Sequence, residues 1–125
     1  MARKKSLHLT DAELRLMEVV WDKGTATVSD VVENVESPAP LAYSTVLTTL
    51  RILENKGYVR HRKDGRAFVY RPVVKRDKAQ DKAITHLLRR FFGDSAELLV
   101  LNLLETKVSS DELKRLRRLI AEKKG

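Results

Sequence analysis

Apolar residues recur along this chain with two periods, and the switch between them marks out its elements. In "LTDAELRLMEVVWDKG", Leu14, Met17, Val20 and Trp21 stand three or four apart, the spacing that gathers side chains on one face of a helix. Thr10 and Glu13 are placed as a capping box, so the pattern predicts a helix that opens at Thr10 and that Gly24 ends. "ATVSDVVENV" predicts a short second helix, capped by Thr27, with Val28, Val31, Val32 and Val35 as its apolar side. "ESPAP" then breaks the chain. A third helix follows in "AYSTVLTTLRILENKGYV", where Val46, Leu50 and Leu53 share a face and Leu47 lies towards its edge. Its stop signal is Asn55-Lys56-Gly57, with Gly57 free to turn left-handed.

The period then changes. In "YVRHRKDGRAFVYRP", Tyr58, Val59, Phe68, Val69 and Tyr70 are strand formers, Asp64-Gly65 signals a two-residue hairpin, and Pro72 closes the second strand. Three helices and a hairpin in about 65 residues is the order of a winged helix-turn-helix. In that fold the third helix enters the DNA major groove and the hairpin, or wing, lies along the phosphate backbone.

After the linker "VVKRD" the chain is helical again. "DKAQDKAITHLLRRFFG" carries Ala83, Ile84, Leu87, Leu88 and Phe91 on one stripe, and Gly93 ends it. Asp94 and Glu97 make the next capping pair, ahead of "SAELLVLNLLE". That segment, with Leu98, Leu101 and Leu104, is apolar nearly all round and predicts burial on more than one side. Ser109 and Glu112 open a last helix with Leu113, Leu116, Leu119 and Ile120 as its stripe. A tail of about 50 residues seldom folds alone. Three such helices read as half of a dimer interface. The fold class is therefore mainly α with a small β-hairpin: a winged-helix DNA-binding domain over residues 1–75 and a three-helix dimerisation domain over 76–125.

The exposed side of the third helix is unusual. Surface helices favour Lys and Glu, yet its first two turns offer Tyr43, Ser44, Thr45, Thr48 and Thr49, followed by Arg51. A recognition helix sets its N-terminal residues against base edges. Short hydroxyl side chains permit that approach and can bond to bases, phosphates or water, and Thr methyls can touch a thymine methyl. Arg51 suits a phosphate or a guanine. The plainer reading is that these threonines are tolerated surface positions.

Charge favours the first reading. The chain carries a formal +8 at pH 7. Residues 51–75 hold Arg51, Lys56, Arg60, Arg62, Lys63, Arg66, Arg71 and Lys75 against Glu54 and Asp64, a local net of +6. Basic charge alone is weak evidence, but a basic segment directly after such a helix points to a polyanion partner.

Several other classes are disfavoured. There are no cysteines, hence no disulfide framework or thiolate metal site. His8, His61 and His86 are scattered, with no metal-binding spacing. The five glycines form no phosphate-binding loop, and Ser44 and Thr45 have no neighbouring base. No enzyme, cofactor or small-molecule substrate is expected. The longest apolar runs are too short to span a bilayer, and the Met-Ala-Arg-Lys-Lys start lacks the apolar core of a signal peptide. A cytoplasmic address follows by default.

The stretches "LTDAELRLMEVVWDKG", "AYSTVLTTLRILENKGYV", "GRAFVYRP" and "LLVLNLLETKVSSDELKRLRRLI" resemble the BlaI/MecI penicillinase-repressor family, in the family's order. The resemblance implies a homodimeric repressor acting on double-stranded operator DNA of dyad symmetry, in the best-known branch at β-lactam-resistance genes. Base and phosphate contacts map onto Tyr43, Ser44, Thr45, Leu47, Thr48 and Arg51, and wing contacts onto Arg62, Lys63 and Arg66. Leu47 stands where some relatives carry a long basic residue, and it reads equally as a core residue. The best-known branch also has a membrane-bound sensor that triggers proteolytic inactivation after an Asn in the tail. Here that bond is Asn102–Leu103, where Leu replaces an aromatic residue. Asn102 is also the one polar residue in "LLVLNLL", which suits a hydrogen bond across the dimer interface. The copper-responsive branch ends in a cysteine-rich motif that this chain lacks.

The expectation is a sequence-specific dimeric repressor. Its alternatives are a less specific architectural DNA-binding protein and a winged-helix adaptor that binds protein.

Overall fold

The structure, a computed structural model, describes residues 8–124. The Met-Ala-Arg-Lys-Lys start, on which the signal-peptide reading rests, lies outside them. In chain order the elements are α1 (Asp11–Lys23), β1 (Ala26–Thr27), α2 (Val28–Asn34), α3 (Tyr43–Asn55), β2 (Val59–Asp64), β3 (Ala67–Pro72), α4 (Arg76–Phe91), α5 (Ala96–Thr106) and α6 (Ser110–Lys124).

Thr10 caps α1 in a complete box: its Oγ1 accepts from Glu13 N at 3.1 Å and its N donates to Glu13 Oε1 at 2.9 Å. Thr27 and Asp30 repeat the device on α2, and the Asp30 half of that box was not read from the sequence. The inner face of α1 is rotated from the expected one. Leu14 is 40% exposed, while Leu16, Met17, Val19 and Val20 are buried and Trp21 only packs at the edge. Leu16 and Val19 join Met17 and Val20 to make that side the more apolar one, and Glu13 lies on it, where it meets Lys56.

Val46, Leu50 and Leu53 of α3 are fully buried against α1, α2 and the strands. At the end of α3, Gly57 (φ +86°) donates its N–H to Glu54 O, and Tyr58 N donates to Leu53 O. That is a Schellman stop, completed by the burial of Tyr58 and Leu53 together.

The sheet has the order β1-β3-β2 and is antiparallel throughout. β1, two residues long, is too short for any periodicity to reveal. The hairpin loop is one residue later than expected. Asp64 pairs with Ala67, which leaves Gly65-Arg66 as the loop. Gly65 (φ +63°) takes the first central position and Arg66 has no positive φ, the pattern of a type II′ turn.

The chain divides into two compact units, one running to Lys82 and one from Ala83. Within the first, Trp21 Nε1 donates to Val74 O at 2.9 Å, and Arg76 Nη2 donates to Glu18 Oε2 and Asp22 Oδ1, each at 2.8 Å. These contacts, with Ala79 packed against the core, hold the start of α4 to the winged-helix unit. In the second unit α5 is capped by Ser95, whose Oγ accepts from Leu98 N, and not by Asp94, which sits at φ +64° in the preceding turn. Ser109 Oγ accepts from Glu112 N at the start of α6, as expected. The expected burial of α5 is absent from the single chain: Leu98, Val100, Leu101, Leu103 and Leu104 are 38–53% exposed.

Candidate nucleic-acid interface

Burial of Val46, Leu50 and Leu53 fixes which side of α3 faces out. Tyr43, Ser44, Thr45, Thr48 and Arg51 are exposed there. Leu47 is half-buried and packs against the core, which favours its core reading without removing its edge from the surface. Thr49 Oγ1 donates to Thr45 O at 2.8 Å, so that hydroxyl is committed to its own helix. Among the described residues the Thr45 and Thr48 hydroxyls have no such engagement.

The tip of α3 differs from those of α1 and α2 in a way the sequence analysis missed. Its N-cap is Ala42, with no side-chain cap hydrogen bond and no acid in the first turn. First-turn N–H groups with neither a side-chain acceptor nor a nearby carboxylate suit an incoming anion. The absence of Ser, Thr, Asp or Asn at position 42 was the readable signal.

The wing is held to α3 by His61, whose Nδ1 bonds Glu54 Oε1 in the last turn of the helix. The His61 ring meets Phe68 edge-on at 5.2 Å and Tyr70 at 5.4 Å. Burial first, then the Glu54 carboxylate, raise the Tyr70 phenol above its ordinary range, while Arg51 opposes them. The three wing residues do not share one surface. Lys63 pairs with Phe68 on the His61 side and lies 5.9 Å over its ring. Arg62 pairs with Val69 on the opposite side, and Arg66 is in the loop. Arg60 and Arg71, not singled out from the sequence, share the Arg62 surface; the alternation 60, 62 was their signal.

In the tail, Leu87, Phe91, Leu98, Leu101, Leu104, Leu116 and Ile120 are exposed, while Leu88 and Leu113 are half-buried. Asn102 is exposed within α5, and its backbone oxygen accepts from Thr106 Oγ1 at 3.0 Å; Leu103 follows it in the same helix. Among the described residues no three His, Asp or Glu gather to hold a metal, and no helix is long and apolar enough to cross a membrane.

A family model described as "Penicillinase repressor" matches residues 9–122. The "Penicillinase repressor" of Bacillus licheniformis is 30% identical over 123 residues, covering 98% of this chain and 96% of the relative. The "Transcriptional regulator BlaI" of Mycobacterium tuberculosis is 32% identical, covering 94% of this chain and 86% of the relative. A solution structure of the DNA-binding domain of the repressor BlaI superposes with a TM-score of 0.52 at 32% identity, over 61% of this chain and 93% of that one.

Proposed function

The chain belongs to the penicillinase repressor family of DNA-binding transcriptional repressors, and from that premise we propose that it acts as a homodimer on a dyad-symmetric operator. The observation that carries this reading is the outer face of α3: an uncapped, acid-free tip with Ser44, Thr45 and Thr48 exposed, followed by Arg51. Thr45 and Thr48 contact base edges, and Tyr43, Ser44, Arg51 and the first-turn N–H groups hold phosphates. Arg62, Lys63 and Arg66 add affinity that does not depend on sequence. Residues 1–75 form the DNA-binding domain and 76–125 the dimerisation domain.

Dimerisation accounts for the tail. α5 exposes five large apolar side chains in the single chain, more than isolated surface residues explain, and a second copy covers them. Each protomer then reads one half-site, about one helical turn or a multiple of it apart. The names of the relatives support β-lactam-resistance genes as targets. A membrane-bound sensor releases repression by triggering cleavage at Asn102–Leu103, and the repressor itself is cytoplasmic.

Sequencing the DNA that the protein retains from its own genome tests the reading. A recurrent motif of dyad symmetry is expected. Retained DNA without a shared motif would leave only an architectural role.

A further inference from the structure

Arg60 faces Arg71 directly across the hairpin, and Arg62 stands two residues along the same strand. Successive side chains of a strand point to opposite faces, so these three arginines share one surface while Val59, His61 and Tyr70 share the other. The second surface is the inner one: Glu54 of α3 bonds His61, and Val59 and Tyr70 belong to the core. The arginines therefore occupy the outer face of the sheet, turned away from α3. Their floor is Val69, only 9% exposed although it stands outside the main core cluster. Thr25, Arg60, Arg62, Val69 and Arg71 border a depression of about 260 Å³ there.

Like charges set directly opposite on paired strands repel. Among the described residues Arg60 and Arg71 have no ion-pair partner, and Arg62 has only Asp64 at 3.8 Å, both well exposed. An acid at position 60 or 71 would make a more stable hairpin. Three planar guanidinium forks over a small apolar floor, with a threonine at the rim, instead suit a multiply charged oxyanion, whose oxygens they can grip in pairs.

We propose that the outer face of the hairpin, centred on Arg60 and Arg71 and bordered by the wing contact Arg62, is a phosphate-binding site distinct from the α3 tip and the wing loop. Its phosphates come from the duplex that flanks the operator or from a small phosphorylated molecule. The DNA source rests on the proposed function; the small-molecule source does not.

The test uses the full-length protein and a double variant, Arg60→Ala with Arg71→Ala, whose fold is checked by circular dichroism. In the first arm both proteins are titrated calorimetrically with inorganic pyrophosphate at low salt. Saturable binding by the parent, weakened roughly tenfold or more in the variant, is expected for a free phosphate ligand. In the second arm both are titrated with the recovered dyad sequence, bare or extended by about one helical turn on each side. If flanking DNA supplies the phosphates, the variant loses affinity only on the extended duplex. Its salt slope there falls by about one for each contact removed. Weakened pyrophosphate binding, or a loss confined to the extended duplex, supports the site and names its source. Unchanged behaviour in both arms overturns it, and so does an equal loss on both duplexes, which would merge these arginines with the operator contact. Whether the parent separates the dyad from a scrambled duplex tests the proposed function alone, and failure there leaves the pyrophosphate arm intact.

Discussion

Lys56 Nζ lies 2.7 Å from Glu13 Oε1, and the two side chains are only 15% and 7% exposed. The pair ties the C-cap of α3 to the first turn of α1, and the same ammonium donates to His8 O at 2.9 Å. Burial pushes the Glu13 carboxyl up, but the hydrogen bonds from Lys56 and the Thr10 backbone outweigh it and hold the group below its ordinary 4.5. A depressed carboxyl contributes stability that is complete above its unfolded pKa and lost as pH falls through the folded one. Lys56→Met should therefore cost about 3 kcal/mol at neutral pH, because it strands a buried carboxylate, and the acid limb of the stability profile should shrink. Urea denaturation across pH measures both. An acid limb identical to the parent's would show that Glu13 does not drive it.

Thr48→Ala should lose mainly operator affinity, whereas Arg66→Ala should weaken operator and random DNA by similar factors and lower the salt slope by about one unit. The reason is placement: Thr48 is exposed on α3, and Arg66 is in the hairpin loop. Fluorescence anisotropy on both duplexes separates the effects. Equal losses from both variants would sink the division of labour between helix and wing.

The winged-helix half was largely legible in the sequence because its signals are local. Thr10 with Glu13, Thr27, and Asn55-Lys56-Gly57 mark real helix ends, and Val46, Leu50 and Leu53 form the buried face of α3. Leu14 misled because two apolar faces of α1 share Met17, and the one with Leu16, Val19 and Val20 also carries Glu13, whose partner Lys56 lies far along the chain. The loop was misplaced by one residue because Asp-Gly fits two hairpin registers, and only the pairing of Asp64 with Ala67 chooses between them. Of the site, the hydroxyl face of α3 was readable from spacing. The uncapped Ala42 was readable but overlooked, and the arginine face needs strand register to appear.

Leu101→Glu with Leu116→Glu should convert a dimer to a monomer in sedimentation while the winged-helix unit stays folded. Both side chains are exposed in the single chain, at 46% and 37%, so the substitutions strain no intrachain core. Operator affinity should fall with dimerisation, since each monomer keeps only one half-site's contacts. A variant that remains a tight dimer would place the interface elsewhere.

Asn102 and Leu103 lie in the body of α5, so cutting between them requires that helix to open locally. Cleavage should split α6 from the rest and lower dimer and operator affinity together. In cells exposed to a cell-wall antibiotic, immunoblots should show loss of the intact chain as target genes are induced. Induction with every copy full-length would leave Asn102 a structural residue.

The affinity of the full-length protein for its recovered dyad sequence, set against a scrambled duplex of equal length at physiological salt, bears most directly on whether α3 reads bases. A ratio of roughly a thousandfold or more is expected of a sequence-specific repressor. A ratio near unity, with affinity falling equally steeply with salt on both duplexes, would contradict it.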